Sequence, residues 1–351
     1  MLHITKNSVN FYILFSIACM LGLLSCNNTS LQEKYRSKLS GLIEHNKTDL
    51  SLQNFKDAII IRNDSAIRFN EKRILQPVDI ALDSSYLIIA DANSNSLFQL
   101  NLHNNLIKQF GNVGRGPAEF NGIQKITGNK HHYFVLESKN SRIQILNKQY
   151  QSVHTIPLKS PCPLCSVSAS GKYLMVPDLS NTNKLINVYA TSPPYHQIDT
   201  LMPKLVPFGE QPFMLNAIST YQSDNGQIVV TYMGLPYYFF FDEELKQTHT
   251  IELKGTFVDN FYMSAKKRFK DVPKAEQQKN IRILTKDIAL NRHYFFIALQ
   301  KYVILIDLST KKIIGTYEFM YEGSSVIPFN IAVNDTHLYL SDLIKHRLFR
   351  V

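Results

Sequence analysis

Short apolar, β-branched and aromatic runs alternate with polar turns along most of the chain, and six of these units share one layout. They are YLIIADANSNSLFQL from Tyr86, YFVLESKNSRIQIL from Tyr133, YLMVPDLSNTNKLINVY from Tyr173, IVVTYMGLPYYFFFD from Ile228, YFFIALQKYVILIDL from Tyr294 and LYLSDLIKHRLFRV from Leu338. Each reads as strand, turn, strand. The turn positions 91, 137, 178, 232, 299 and 342 lie 46, 41, 54, 67 and 43 residues apart, and periods near 40 to 50 residues mark propeller blades. Every unit is preceded by a segment able to supply an inner strand: PVDIAL, GIQKIT, CSVSAS, NAISTY, ILTKDIAL and FNIAVN. Outer strands follow most copies, as in NLIKQF, SVHTIPL and THTIELK. The last unit stops at Val351. Its missing outer strand can come from DAIIIR (Asp57 to Arg62) or from the following AIRFNE, which joins the two chain ends in one sheet. The expected fold is all-β, a six-bladed β-propeller closed by an N-terminal strand, with only short, protected sheet edges.

The longest interval holds the densest basic cluster, AKKRFKDVPKAEQQKNIR, whose helix formers flank Pro273. A surface insertion near residues 259–282 is expected there. Ahead of the ring, Ser30 with Glu33 forms a capping box, and Leu31, Tyr35, Leu39 and Leu42 recur at helical spacing. A short amphipathic helix follows, either packed on the propeller or free to meet a partner.

The first residues change the picture. Lys6 precedes an apolar run, Ile13 to Leu23, too short to span a membrane comfortably, and Leu24-Ser25-Cys26 follows at once. That is the layout of a bacterial lipoprotein signal, in which the cysteine thiol takes a diacylglyceryl group; an ordinary secretory signal ends in an A-x-A-like site. The expected organisation is a signal peptide over 1–25, a lipidated tether with a short helix over 26–50, and the propeller over 51–351. Each buried acyl methylene contributes about 0.8 kcal/mol, so two or three chains on Cys26 hold a protein on a bilayer.

Charge narrows the partners. With 38 Lys and Arg against 28 Asp and Glu, the formal net charge is +10 at pH 7. The charges are spread along the chain, and nucleic acid is not an expected partner for an exported protein; a solvated surface or attraction to anionic envelope glycans or lipids is.

FGNVGRGPAEF, Phe110 to Phe120, is the most distinctive local stretch. A phosphate-cradling loop needs a helix behind it and Lys-Ser/Thr in the nucleotide case, whereas Pro117 and a further strand follow here. The stretch reads as a blade-to-blade crossing in which Phe120 wedges between sheets and Arg115 pairs with Glu119. The other reading has Arg115 at the mouth of the ring, binding an anionic ligand with Glu119. FGNVGRGPAEF, the neighbouring ESKNSRIQIL and the Cys26 signal together resemble the six-bladed, TolB-like and NHL-like β-propeller lipoproteins of Bacteroidota. The likeness covers roughly residues 57 to 351, well in blades one, two and six and poorly in four and five. It implies the fold and an envelope address, and it brings no catalytic residues. The stretch after Cys26 lacks the acidic run associated with surface export in such bacteria, which favours a periplasm-facing outer-membrane lipoprotein.

Candidate chemistry is sparse. Cys162 and Cys165 form one C-x-x-C; in an oxidising compartment a disulfide or two free thiols is the first reading, with a metal or redox pair behind it. His131-His132 sits before a strand, where neighbouring side chains diverge. No G-x-S-x-G elbow or H-E-x-x-H helix occurs. Asp79, Asn121, Asn216, Asp287 and Asn330 lie near inner-strand positions of different repeats and are the candidate ligands of a calcium ion in the central channel, which would polarise a lactone, ester or phosphoester oxygen. The favoured function is a lipid-anchored envelope binding or scaffold module for a protein or glycan partner, without cofactor or catalysis. The alternative is a calcium-dependent hydrolase or lactonase.

Overall fold

The computed structural model describes residues 28–53, 55, 58–63, 66–68, 74–83, 86–101, 106–159, 167–180, 183–206, 216–223, 225–268, 283–342 and 347–351. Cys26, Cys162 and Cys165 lie outside the described residues. Six antiparallel sheets form the blades of a six-bladed β-propeller. Their inner strands are Pro77–Asp83, Ile123–Gly128, Ser168–Ser170, Ile218–Gln222, Thr285–Leu290 and Asn330–Val333. Each inner strand pairs with the first half of one repeat unit: Tyr86–Asp91, His132–Glu137, Tyr173–Pro177, Ile228–Tyr232, Tyr294–Leu299 and Leu338–Asp342.

The second strands are buried on both faces, as in Ile228–Tyr232, where every residue is buried. That explains their continuous apolar runs: both faces pack against neighbouring blades, so period-two alternation is lost. Phe239 and Tyr232 pack with blade three, while Tyr238 and Phe240, one position away, pack with blade five. A one-residue slip would exchange these two environments.

Three N-terminal segments are distributed over three blades. Lys47–Ser51 runs parallel to Gln247–Lys254 and adds a fifth strand to blade four. Ile59–Arg62, one of the two segments expected beside the last strand, instead runs parallel to the outer strand Lys312–Tyr321 of blade five. Ile67–Arg68 is the segment that lies antiparallel beside the last strand, Arg347–Arg350, with Leu348 opposite Ile67.

Helix α1 (Asn28–Ile43) buries Tyr35, Leu39 and Ile43, one stripe at i, i+4, i+8, against blades three and four. Its last turn is held by blade four, where Gln247 Nε2 (2.7 Å) and Thr250 Oγ1 (2.7 Å) both donate to the Leu42 carbonyl, and one turn earlier Lys38 Nζ donates to the Leu205 carbonyl, just past the outer strand of blade three. Helix α2 (Thr256–Arg268) begins the basic insertion and buries Val258, Phe261 and Tyr262 between blades four and five. Among the described residues no helix is long and apolar enough to cross a membrane.

The glycine-rich crossing is clamped by the following blade. Glu137, fully buried, accepts from the Asn121 N–H (2.9 Å), Asn140 Nδ2 (2.6 Å), Arg142 Nε (2.7 Å) and Gln144 Nε2 (3.2 Å). Arg142 carries the clamp outward, donating to the carbonyls of Arg115 (2.8 Å) and Glu119 (2.9 Å). Gly111 has φ +77°, and a Cβ there would run into the Phe120 ring; one on Gly114 would strike the Glu119 carboxylate. Asp91 repeats the device in blade one, accepting from the Gln76 N–H and the Ser94 N–H.

Candidate functional site

An inner strand has a partner on one side only, so its other row of N–H and C=O groups faces the axis, and buried backbone polar groups must be paired. Here side chains of neighbouring blades bond four such groups, and two further side-chain pairs complete the links. Asp79 Oδ2 accepts from the Ile126 N–H (2.9 Å), Thr127 Oγ1 from the Ala169 N–H (3.2 Å), and Asp287 Oδ2 from the Ile331 N–H (2.9 Å). Gln222 Nε2 donates to the Ser168 carbonyl (2.9 Å), Ser219 Oγ to Asp287 Oδ1 (3.3 Å), and Asn330 Nδ2 to Asp79 Oδ1 (2.8 Å). Together these six links join blade one to two, two to three, and so on back to blade one. The circuit is closed.

Register explains why these residues meet. Asp79, Lys125, Ser219, Asp287 and Asn330 face Ala90, Leu136, Thr231, Ala298 and Ser341 across their sheets. Each partner is the residue just before repeat position 91, 137, 232, 299 or 342. The five therefore form one layer of the ring. In blades one, two and five a β-bulge precedes this position, between Pro77 and Asp79, Ile123 and Lys125, and Thr285 and Asp287; the extra residue re-aims the one that follows.

This layer is charged and desolvated. Lys125 Nζ lies 3.5 Å from Asp79 Oδ1. Burial pushes the Asp287 carboxyl up to about 6, against the pull of Lys125 and the Ile331 N–H. Burial also raises Asp79, again opposed by Lys125 and the Ile126 N–H.

From this layer a cavity of about 270 Å³ extends along the inner strands to the turns Asn291-Arg292 and Asn334-Asp335. Arg292 and Asp335 are exposed, so the cavity reaches the surface there. The turns are built alike: the side-chain oxygens of Asn129, Asn291 and Asn334 each accept two N–H groups, from positions two and three residues on. Asn291 Nδ2 also donates to the Asn334 carbonyl, tying the turns of blades five and six together (3.3 Å). Beside the cavity, Asp83 accepts from Lys148 Nζ (3.0 Å) and from the Tyr133 hydroxyl.

The structure sorts the residues singled out in the sequence. Asp79, Asp287 and Asn330 share the charged layer. Asn121 and Asn216 lie in the lead-in segments before their inner strands: the Asn121 N–H serves Glu137, and the Asn216 side chain bonds the Leu205 and Val206 N–H groups (2.9 and 3.2 Å) and the Val206 carbonyl. The layer positions of their blades belong to Lys125 and Ser219. Glu119 Oε2 turns back to the Gly116 N–H (2.8 Å), and among the described residues Arg115, which is exposed, has no carboxylate within ion-pair distance.

For the calcium reading, the donor set fits poorly. Lys125 already supplies the positive charge between the carboxylates, and Asp79 is occupied by three donors. A divalent ion would have to displace that ammonium. Among the described residues no group of three or more His, Cys, Asp or Glu is gathered for a metal.

No protein-family model matches the sequence, and no curated protein matches it. Among solved structures, the chain is similar to a Bacteroides fragilis protein named as a candidate exported protein, at 14% identity and TM-score 0.53, over 84% of this chain and 88% of that one. Hsv2 of Kluyveromyces marxianus overlaps more loosely, at 14% identity and TM-score 0.43, over 79% and 72%. The first likeness extends over nearly the whole ring, and what it shows is the shared β-propeller fold.

Proposed function

We propose that the chain is a binding module of the bacterial cell envelope. Acyl chains on Cys26 hold it to the outer membrane, facing the periplasm, and its axial cavity and the turns around it take hold of another envelope component. The observation that carries this reading is the closed circuit of cross-blade links. It leaves a polar cavity already formed and open at one face, the arrangement that binding sites on rigid scaffolds share. Two further points support it. The Leu24-Ser25-Cys26 signal gives an anchor outside the fold, and the structural neighbour from Bacteroides fragilis is named for export.

Native mass spectrometry of the full-length protein, purified from membranes in mild detergent, tests the cavity. A population carrying a bound small solute is expected; only the bare mass, with no partner recovered after crosslinking, would count against a binding role. Anchoring is checked separately by detergent phase separation. The mature protein is expected in the detergent phase and the Cys26→Ser protein in the aqueous phase.

A further inference from the structure

The wall of the axial cavity points to a ligand class; this rests on the reading that the cavity is the binding site. Apolar residues contribute to its outline, but Ile80, Ile126, Ala169, Ile288 and Ile331 bury their side chains in the packing between blades. What they offer the cavity is inner-strand backbone. The remaining wall mixes apolar residues such as Val167, Leu290 and Val333, which join the same clusters, with hydrogen-bonding side chains such as Gln222, Asn291 and Asn334. Polar surface outweighs apolar surface along the wall, so the matching solute is rich in hydroxyl groups. At about 270 Å³ the space is just below the roughly 300–1,000 Å³ of drug-sized pockets, which suits a single sugar unit.

Charge selects among sugars. Asp79 is occupied by Asn330, Lys125 and the Ile126 N–H, and Asp83 by Lys148 and Tyr133. Asp287 accepts from Ser219 Oγ and from the Ile331 and Ile288 N–H groups, which leaves one of a carboxylate's about four lone-pair sites open. Lys125 makes one long contact, 3.5 Å, with three N–H groups to give. The floor thus has an unsaturated donor beside an unsaturated acceptor, the pair that reads a hydroxyl group from both sides. At the rim stand one carboxylate, Asp335, and one cation, Arg292, and Arg292 has no hydrogen-bond or ion-pair partner among the described residues to take up its guanidinium. Its planar fork matches a carboxylate bidentately.

We propose that the cavity binds an acidic sugar, with the carboxylate on Arg292 at the rim and ring hydroxyls between Lys125 and Asp287 at the floor. The acid is a free sugar or the terminal unit of a glycan, since the cavity is entered from the turn-bearing face.

Isothermal titration of the full-length protein in detergent tests this. The probes are D-glucuronate and D-galacturonate, with D-glucose and D-galactose as their neutral counterparts. At least one acid is expected to bind saturably and at least tenfold more tightly than its neutral counterpart. Arg292→Ala, at an exposed turn outside the cross-blade circuit, is expected to bring the acid down to the neutral sugar's level while leaving the latter unchanged. Asp287→Asn keeps an acceptor for the Ile331 N–H and is expected to weaken acid and neutral sugar alike. Equal affinity for the two, an acid affinity unmoved by Arg292→Ala, or no binding of either acid would overturn the proposal. Trigalacturonate separates the sources: binding of the trimer shows that a glycan end is accepted, and binding of the monomer alone assigns the free acid. A co-purified solute of other chemistry would end this inference and leave the binding role intact. Bare protein in both experiments would end both.

Discussion

Asp287 holds two neighbouring blades at once, taking one hydrogen bond from Ser219 of blade four and one from the Ile331 N–H of blade six. It does so as a half-buried, desolvated carboxylate beside Asp79 and Lys125, with its ionisation moved from 3.8 to about 6. A carboxyl raised in the folded state binds protons that the unfolded chain has already lost. Stability from this group is therefore full below about pH 4 and falls as pH rises to 6, by at most about 3 kcal/mol. Urea midpoints followed over pH 4 to 7 are expected to lose this component in Asp287→Asn; an unchanged difference between variant and parent across that range would show that the carboxyl is not desolvated. His249 runs the other way. Its ring stacks on Phe240 at 4.3 Å, and burial, with Lys311 and His45 nearby, pushes the imidazole down to about 4. The unfolded chain takes the proton first as pH falls below 6.5, so the native state loses stability between 6.5 and 4. His249→Phe keeps the stack and is expected to remove that acid loss in the same titration.

At the scale of elements, helix α1 and the glycine-rich crossing are fixed by different physics. The helix is held by an apolar stripe, and Leu39, fully buried between blades three and four, is its centre. Leu39→Ala is expected to cost about 2–5 kcal/mol, read as a lower urea midpoint; a change under about 1 kcal/mol would mean that the helix does not share the core. The crossing is held by polar groups. Glu137→Ala leaves Arg142 Nε and the Asn121 N–H without their acceptor, and is expected to cost about 3 kcal/mol or more while exposing Phe120 to faster exchange around it. The repeat units were legible because strand, turn and strand recur with buried aromatic and β-branched residues, so positions 91, 137, 232, 299 and 342 align in register with the sheets. The layer below them was legible only in part. Asp79, Asp287 and Asn330 stand where spacing puts them, but Lys125 and Ser219 were hidden. The lead-in segments of blades two and four bring Asn121 and Asn216 close in sequence to the inner strands without placing them in it, and a lysine among apolar neighbours reads as a solvated charge until its carboxylate partner is known. The Asn turns at 129, 291 and 334 carried a recoverable signal, an Asn three to four residues ahead of each strand.

The whole molecule is a ring whose inner surface is its most constrained part. Six radial sheets pack face to face, and their apolar clusters bridge each blade to the next. On the axis, hydrogen bonding takes over from packing. Side chains of one blade bond the backbone of the next at Ile126, Ser168, Ala169 and Ile331, so the cavity walls are set by the fold before any solute arrives, and little ordering remains to be paid on binding. Amide hydrogen exchange at Ile126, Ala169 and Ile331 tests this most directly, because those three N–H groups lie on strand edges that have no strand partner. Exchange as slow as that of the buried second strands is the expected result, with Ile331 released in Asp287→Ala and retained in Asp287→Asn. Rapid exchange of all three in the parent protein, at the rate of exposed edge amides, would contradict a preformed cavity closed by cross-blade links.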